Sequence, residues 1–276
     1  MTSNNERYLI MFFALTFLFS WLLWLPGVLV TLNVVDWVID YSVYVVLNVA
    51  GGAIPSILGL CFIFRTGGRD ALKEALWSGI DVRRIKRFWW VIILFMMPII
   101  HVTALLLGIL AGSAVPELTY LQQWWLIPVL FIVGFIPISN AFREEFGWRG
   151  YAIDSLQSRF NALVTSAIIG LAWGLWHLPL WYFPTGVQQY ASMPFWGFLS
   201  NTVMLSIIMT WLYNNTNRSI LSAVAFHVVI NISPQIFPFA QTDIGIYFNI
   251  ILNICLALAI VIRYGHGELK RTYMDS

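Results

Sequence analysis

Long apolar runs, each near the ~20 residues that carry a helix across a bilayer, alternate with short polar connections along the chain. They fall at about residues 8–32, 43–64, 88–111, 124–142 and beyond, 161–183, 195–213, 219–237 and 244–262. The pattern predicts an all-α integral membrane protein, a bundle of about eight transmembrane helices. No connection is long enough to fold as a soluble domain, and neither an internal repeat nor a low-complexity tract interrupts the pattern. Residues 1–276 are therefore read as a single transmembrane helical domain. The first run is longer than a signal-peptide core and no small-x-small cleavage pattern follows it, so it is read as a retained span.

An even number of spans puts both termini on one side, and the basic residues select which side. Arg7 precedes the first span; Arg65, Arg69, Lys73, Arg83, Arg84, Lys86 and Arg87 lie between the second and third; Arg143, Arg149 and Arg159 between the fourth and fifth; Arg218 between the sixth and seventh; Arg263, Lys270 and Arg271 after the eighth. The opposite connections carry only acids, Asp36, Asp40, Glu117 and Asp243. The expected protein has cytoplasmic termini and crosses the plasma membrane several times, with short loops and no retention signal, as in a prokaryote. In the connection 69–87, Ala71, Leu72, Ala75 and Leu76 recur at helical spacing, which suits a short helix on the cytoplasmic surface. Its charges are also accounted for as a topology signal alone, and that is the reading taken. Gly52, Ser56 and Gly59 in the second span, and Ser166, Gly170 and Gly174 in the fifth, form stripes that let helix backbones approach closely.

Composition narrows the partners. The chain is 59% hydrophobic and 16% aromatic with 10% charged residues, against about 25% charged in soluble domains. The net charge of +2 gives no reason to expect a nucleic-acid partner. The expected partners are the lipid bilayer and a peptide or protein held in it. Cys61 and Cys255 sit in apolar stretches without a CxxC pattern, which argues against a disulfide framework or a thiolate metal site.

Against this background the segment Asn140-Ala-Phe-Arg-Glu-Glu-Phe-Gly-Trp-Arg-Gly-Tyr151 stands out. Ionisable groups at membrane depth are costly, and where they persist they line cavities, pair with one another and carry function. Glu145 and Arg149 are four apart in the acid-before-base order that favours pairing, while Glu144 lies ~100° round the helix. One carboxylate is expected to be paired and the other free. The other strongly polar residues read at membrane depth are Asn48, His101, His177, His227 and Asn231. His101 and Asn48 are taken as packed, hydrogen-bonded residues. His177 shares the small-residue face of the fifth helix, and His227 and Asn231 are four apart on one face of the seventh.

These groups cooperate only at one depth. If the fourth helix runs on through Tyr151 to a turn near Gln157, ~1.5 Å per residue brings Glu144, His177 and His227 to overlapping levels. The set can position and deprotonate a water, with a carboxylate as general base and the other groups polarising a carbonyl. It can also bind a divalent metal such as zinc through His177, His227 and Glu144, leaving a position for water. Both routes lead to hydrolysis. The spacing is not the H-E-x-x-H of soluble metalloproteases, which weakens the metal case.

Glu144-Glu145-x-x-x-Arg149, then Trp173-x-x-x-His177, then His227-x-x-x-Asn231, resembles the three motifs of the CAAX-protease and bacteriocin-processing family of intramembrane endopeptidases. The likeness spans residues 140–231, inside a core of about 124–237. It implies an intramembrane protease with a conical interior open to the cytoplasm and a membrane-associated substrate, which in the family's eukaryotic members is C-terminally prenylated and in some bacterial members is linked to bacteriocin maturation or immunity. Glu144, Glu145, His177, His227 and Asn231 are its catalytic candidates, and Arg149 its ion-pair partner. Glu144 is expected to deprotonate the water, His177 to hold that water or a metal, and His227 with Asn231 to stabilise the oxyanion. Trp173 departs from the family's usual Phe, keeping an aromatic wall while narrowing the pocket. The competing reading is a catalytically silent membrane scaffold of the same fold, as in bacteriocin immunity. Retention of all four polar site residues argues for the enzyme. A transporter would show broken helices repeated in two halves, and no such symmetry is present.

Overall fold

The computed structural model describes residues 3–185, 193–242 and 244–270. Among these there are helices and turns and no strand. The helices are α1 (Ser3–Thr31), α2 (Tyr41–Ser78), α3 (Arg87–Leu110), α4 (Thr119–Gln122), α5 (Ile127–Gly134), α6 (Asn140–Gly147), α7 (Ile153–Gln157), α8 (Ala162–Trp176), α9 (Phe195–Asn215), α10 (Ile220–Ile236) and α11 (Gly245–Tyr264). Asp243, Arg271 and most of the connection before α9, all used in the topological reading, lie outside the described residues.

Among the described residues six helices are by length and composition apolar enough to cross a bilayer, against an expectation of about eight spans. The fourth and seventh runs form the shorter apolar helices Trp124–Gly134 and Ile220–Ile236. α10 is buried on nearly all sides by protein, and a helix apolar all round suits a protein core as well as lipid.

The fourth run is also not continuous. Pro137 has no amide hydrogen and disfavours helix at the residue before it, and the helix stops at Gly134 and restarts at Asn140 behind an extended Ser139. Beyond the break the expected continuity holds. α6, a π-helical turn (Trp148–Ala152) and α7 follow one another without interruption to Gln157. A single π turn of this kind inserts a residue into the helical ladder and recurs at functional sites.

α2 extends past its apolar part. Gly68, at φ 70° and ψ −161°, kinks it, and residues 69–78 continue as helix, so this stretch is more than the topology signal it was read as. Arg84 at the end of the connection pairs with Glu74 on that helical arm.

Two seams of small residues position the site. On α2, a Cβ at Gly59 would lie 2.6 Å from the Phe146 carbonyl oxygen, and Ser56 Oγ donates to the Phe142 carbonyl at 2.9 Å. On α8, a Cβ at Gly170 would lie 2.6 Å from Val203 Cα. Backbone contact at both seams holds α6 against α2 and α8 against α9, as the stripes suggest. Pro55 leaves the Gly51 carbonyl without its helical donor, and Ser20 Oγ of α1 fills the place at 2.7 Å.

Candidate active site

Glu144 and Glu145 leave α6 in different directions. Glu145 is fully buried, as is Arg149, whose NH1 reaches both carboxylate oxygens at 3.1 and 3.0 Å. The pairing read from the spacing is present. A third partner is not visible in the sequence order: His227, on α10, sets Nδ1 2.7 Å from Glu145 Oε1. A carboxylate only accepts, so Nδ1 carries the hydrogen. In the neutral ring Nε2 is then a lone pair. A donor role for His227 toward an oxyanion, as expected from the motif, requires a second proton on the ring.

Glu144 is not free. The indole Nε1 of Trp173 donates to its Oε2 at 2.6 Å, a contact no sequence pattern signalled. Trp173 is thus more than a wall. Its ring also lies 5.5 Å below the Arg149 guanidinium and edge-on to His177 and His227, and its carbonyl takes the Nδ1 hydrogen of His177 at 2.7 Å. His177 caps the end of α8, where Pro179 prevents continuation, and its Nε2 is likewise left as the free nitrogen.

Glu144, Trp173, His177, His227 and Asn231 all line one cavity of about 70 Å³, together with Asn140, Asn201, Thr202, Phe198, Leu205 and Ile230. Glu145 and Arg149 stand behind it and hold His227. Asn140, Asn201 and Thr202 were missed. Asn201 is a polar residue in the middle of an apolar run, as are the buried Asn249 and Asn253, so membrane depth alone was a sufficient signal for all three. Arg143, assigned to a cytoplasmic connection, is mostly buried. It donates to the α2 carbonyls of Asn48 and Val49 at 3.3 and 2.9 Å and to Asn140 Oδ1. His101, taken as a packed and hydrogen-bonded residue, is buried away from the cavity and stacks on Phe239 at 4.7 Å, but its Nδ1 has no hydrogen-bond partner, so the packing expected of it is present and the hydrogen bond at that nitrogen is not. Asn48 donates to the Thr185 carbonyl at 2.9 Å.

A second, larger groove of about 420 Å³ adjoins the cavity and shares Asn140 and Asn231 with it. The helix break at residues 135–139 opens it, and Leu130, Val133, Ile136, Ile138, Val228 and Ile232 make it mostly apolar.

The donors His177, His227 and Glu144 are chemically suited to zinc. As arranged they do not fit it: among the described residues no three His, Cys, Asp or Glu side chains are gathered to hold a metal ion.

The fold and site define a membrane-embedded helical protein with a small enclosed carboxylate and imidazole centre. Residues 122–233, which carry the site, match the family model described as type II CAAX prenyl endopeptidase, Rce1-like. A protein of Methanococcus maripaludis named CAAX prenyl protease 2 is 26% identical over 259 residues, which cover 89% of this chain and 92% of the relative.

Proposed function

We propose that this protein is an intramembrane endopeptidase that hydrolyses a peptide bond of a membrane-anchored, C-terminally prenylated substrate, with a water activated by Glu144. The observation that carries this reading is the cavity into which one carboxylate, two imidazoles and a carboxamide open from three helices. The substrate class rests on the family match, on the relative's name and on the apolar groove beside the cavity.

In this reading Trp173 fixes Oε2 of Glu144, and Oε1 takes a proton from the water. The second hydrogen of the water donates to an Nε2 lone pair of His177 or His227, which turns the oxygen toward the scissile carbon. As the oxygen–carbon bond forms, the carbonyl π electrons move onto its oxygen, where the Asn231 amide donates. Collapse of the tetrahedral centre breaks the carbon–nitrogen bond, and Glu144 returns its proton to the leaving amine. Glu145 and Arg149 take no part in the transfers. They hold His227 in the tautomer that presents Nε2. The basic residues support cytoplasmic termini.

The test is cleavage by the purified full chain in liposomes, on a prenylated CAAX-type peptide, its unprenylated counterpart and a short membrane peptide. The prenylated peptide is cut. Glu144→Gln cuts at least ~10²-fold more slowly with an unchanged melting temperature, and Asn231→Ala leaves a remnant ~10²–10³-fold below wild type. Wild-type turnover in Glu144→Gln sinks the assignment and makes Glu145 the candidate base. Activity persists after exhaustive chelation. Stoichiometric zinc that disappears in His177→Ala and His227→Ala makes both residues metal ligands instead.

A further inference from the structure

At ~1.5 Å per residue, residues 41–67 of α2 form a helix ~40 Å long, enough for the ~30 Å hydrocarbon core of a bilayer. The arm of residues 69–78 beyond the Gly68 kink therefore begins where the hydrocarbon ends. The chain turns back into an apolar, membrane-length helix at Arg87. Residues 69–86 are thus held at the level of the lipid headgroups from both ends.

One face of the arm is committed to protein. Ala75, Ser78 and Gly79 are buried. Ser78 Oγ donates to the Arg218 carbonyl at 3.2 Å and accepts from the amide of Ile220, the first residue of α10, at 3.0 Å. A Cβ at Gly79 would lie 2.3 Å from the Phe146 ring of α6. With that face fixed, the ~100° step of the helix sets Leu76, Arg69, Lys73 and Trp77 side by side on the outer surface, with Asp70 and Glu74 at its far edge. Exposed leucine and tryptophan beside two cations, with Ile80 and Val82 exposed just beyond, suit a helix lying in the headgroup layer. The apolar groups enter the acyl boundary and the cations reach the phosphates.

The charges select the lipid. Residues 65–87 hold seven basic side chains and three acids. Two of the acids are satisfied within the connection: Arg84 pairs with Glu74, and Asp81 caps the turn Val82–Arg84 and takes Arg83 at 2.8 Å. Arg69, Lys73, Lys86 and Arg87 are exposed and form no ion pair among the described residues. We propose that the arm and its return to Arg87 are a docking surface for a bilayer with anionic headgroups, with these four cations at lipid phosphates and Leu76 and Trp77 in the acyl boundary. None of these residues lines the cavity of Glu144, so the inference stands apart from the hydrolytic reading.

The test is hydrogen exchange of the full chain reconstituted in phosphatidylcholine vesicles with and without phosphatidylglycerol. Each cation at an anionic surface favours the seated arm by about fivefold. Exchange of residues 69–82 therefore slows on the order of 10²-fold when phosphatidylglycerol is present, and high salt removes the gain. Arg69→Gln combined with Lys73→Gln takes back ~25-fold of it, and Asp70→Asn enlarges it. Trp77→Ser speeds exchange in both vesicles. Equal exchange in the two vesicles overturns the inference, and so does a gain that the double variant retains. The same slowing by inorganic phosphate in pure phosphatidylcholine marks a site for the free anion and overturns the lipid assignment. Equal slowing in the connection 112–118 marks a general effect of the bilayer and overturns it too. No cleavage is measured, so each of these failures leaves the proposed function as it stands.

Discussion

Nδ1 of His227 donates to Oε1 of Glu145 across 2.7 Å, and the same carboxylate lies against Arg149 at 3.0 Å with both partners fully buried. Two adjacent carboxylates are thereby given different work. Glu145 faces inward to an arginine and an imidazole, and Glu144 faces the cavity with an indole at its back.

Removing Arg149 leaves Glu145 charged and buried with His227 alone. Arg149→Ala is expected to lose ~3–5 kcal/mol of stability, read as a lowered melting temperature in detergent, and to lose activity as well. Arg149→Met combined with Glu145→Leu replaces the pair by apolar volume and regains most of the stability. It regains no activity, because His227 has lost the group that sets its tautomer. A fully stable Arg149→Ala protein shows that His227 alone is enough to hold the buried Glu145.

Trp173→Phe keeps the ring and deletes the N–H on Glu144. A hydrogen bond to a charged group contributes ~1.5–3 kcal/mol, so kcat is expected to fall by roughly 10- to 100-fold at a nearly unchanged KM. An unchanged kcat shows that Glu144 needs no such anchor and that the indole serves only as a wall.

The seam between α2 and α6 has no room for a side chain at Gly147, where a Cβ would meet the Pro55 carbonyl carbon at 2.5 Å and Pro55 Cβ at 2.9 Å. The colliding atoms include backbone, which cannot rotate away. Gly147→Ala is expected to destabilise by ~1–3 kcal/mol and to move Glu144 with α6, so activity falls along with the melting temperature. Wild-type melting and turnover in this variant would mean the two helices are less tightly joined than the structure has them.

Reporter fusions test the orientation. Fusions after Arg87, Arg159 and Ser276 are expected to report cytoplasm, and one between Pro184 and Pro194 the opposite side. A periplasmic signal at Arg87 or Arg159 reverses the orientation and the side from which substrate reaches Glu144.

Much of this protein is legible in the order of its residues because membrane helices are dictated locally. Every backbone group must bond within its own helix, so an apolar run shows a helix, and a charge inside one shows a site. Glu145 and Arg149 pair at four-residue spacing, and the helix from Asn140 to Gln157 carries Glu144 to the depth of His177 and His227. Length and apolarity do not say what surrounds a helix, so neither the enclosure of α10 by protein nor the break at Pro137 was legible in the run of apolar residues. Nor does a motif say which atoms meet. That Glu144 takes the Trp173 indole, that His227 turns to Glu145 and not to Glu144, and that Asn253 holds Asn201 are contacts between residues 29, 82 and 52 positions apart. Only the packing of α6, α8, α9, α10 and α11 brings those side chains together, and no periodicity along one helix encodes the rotation of another against it.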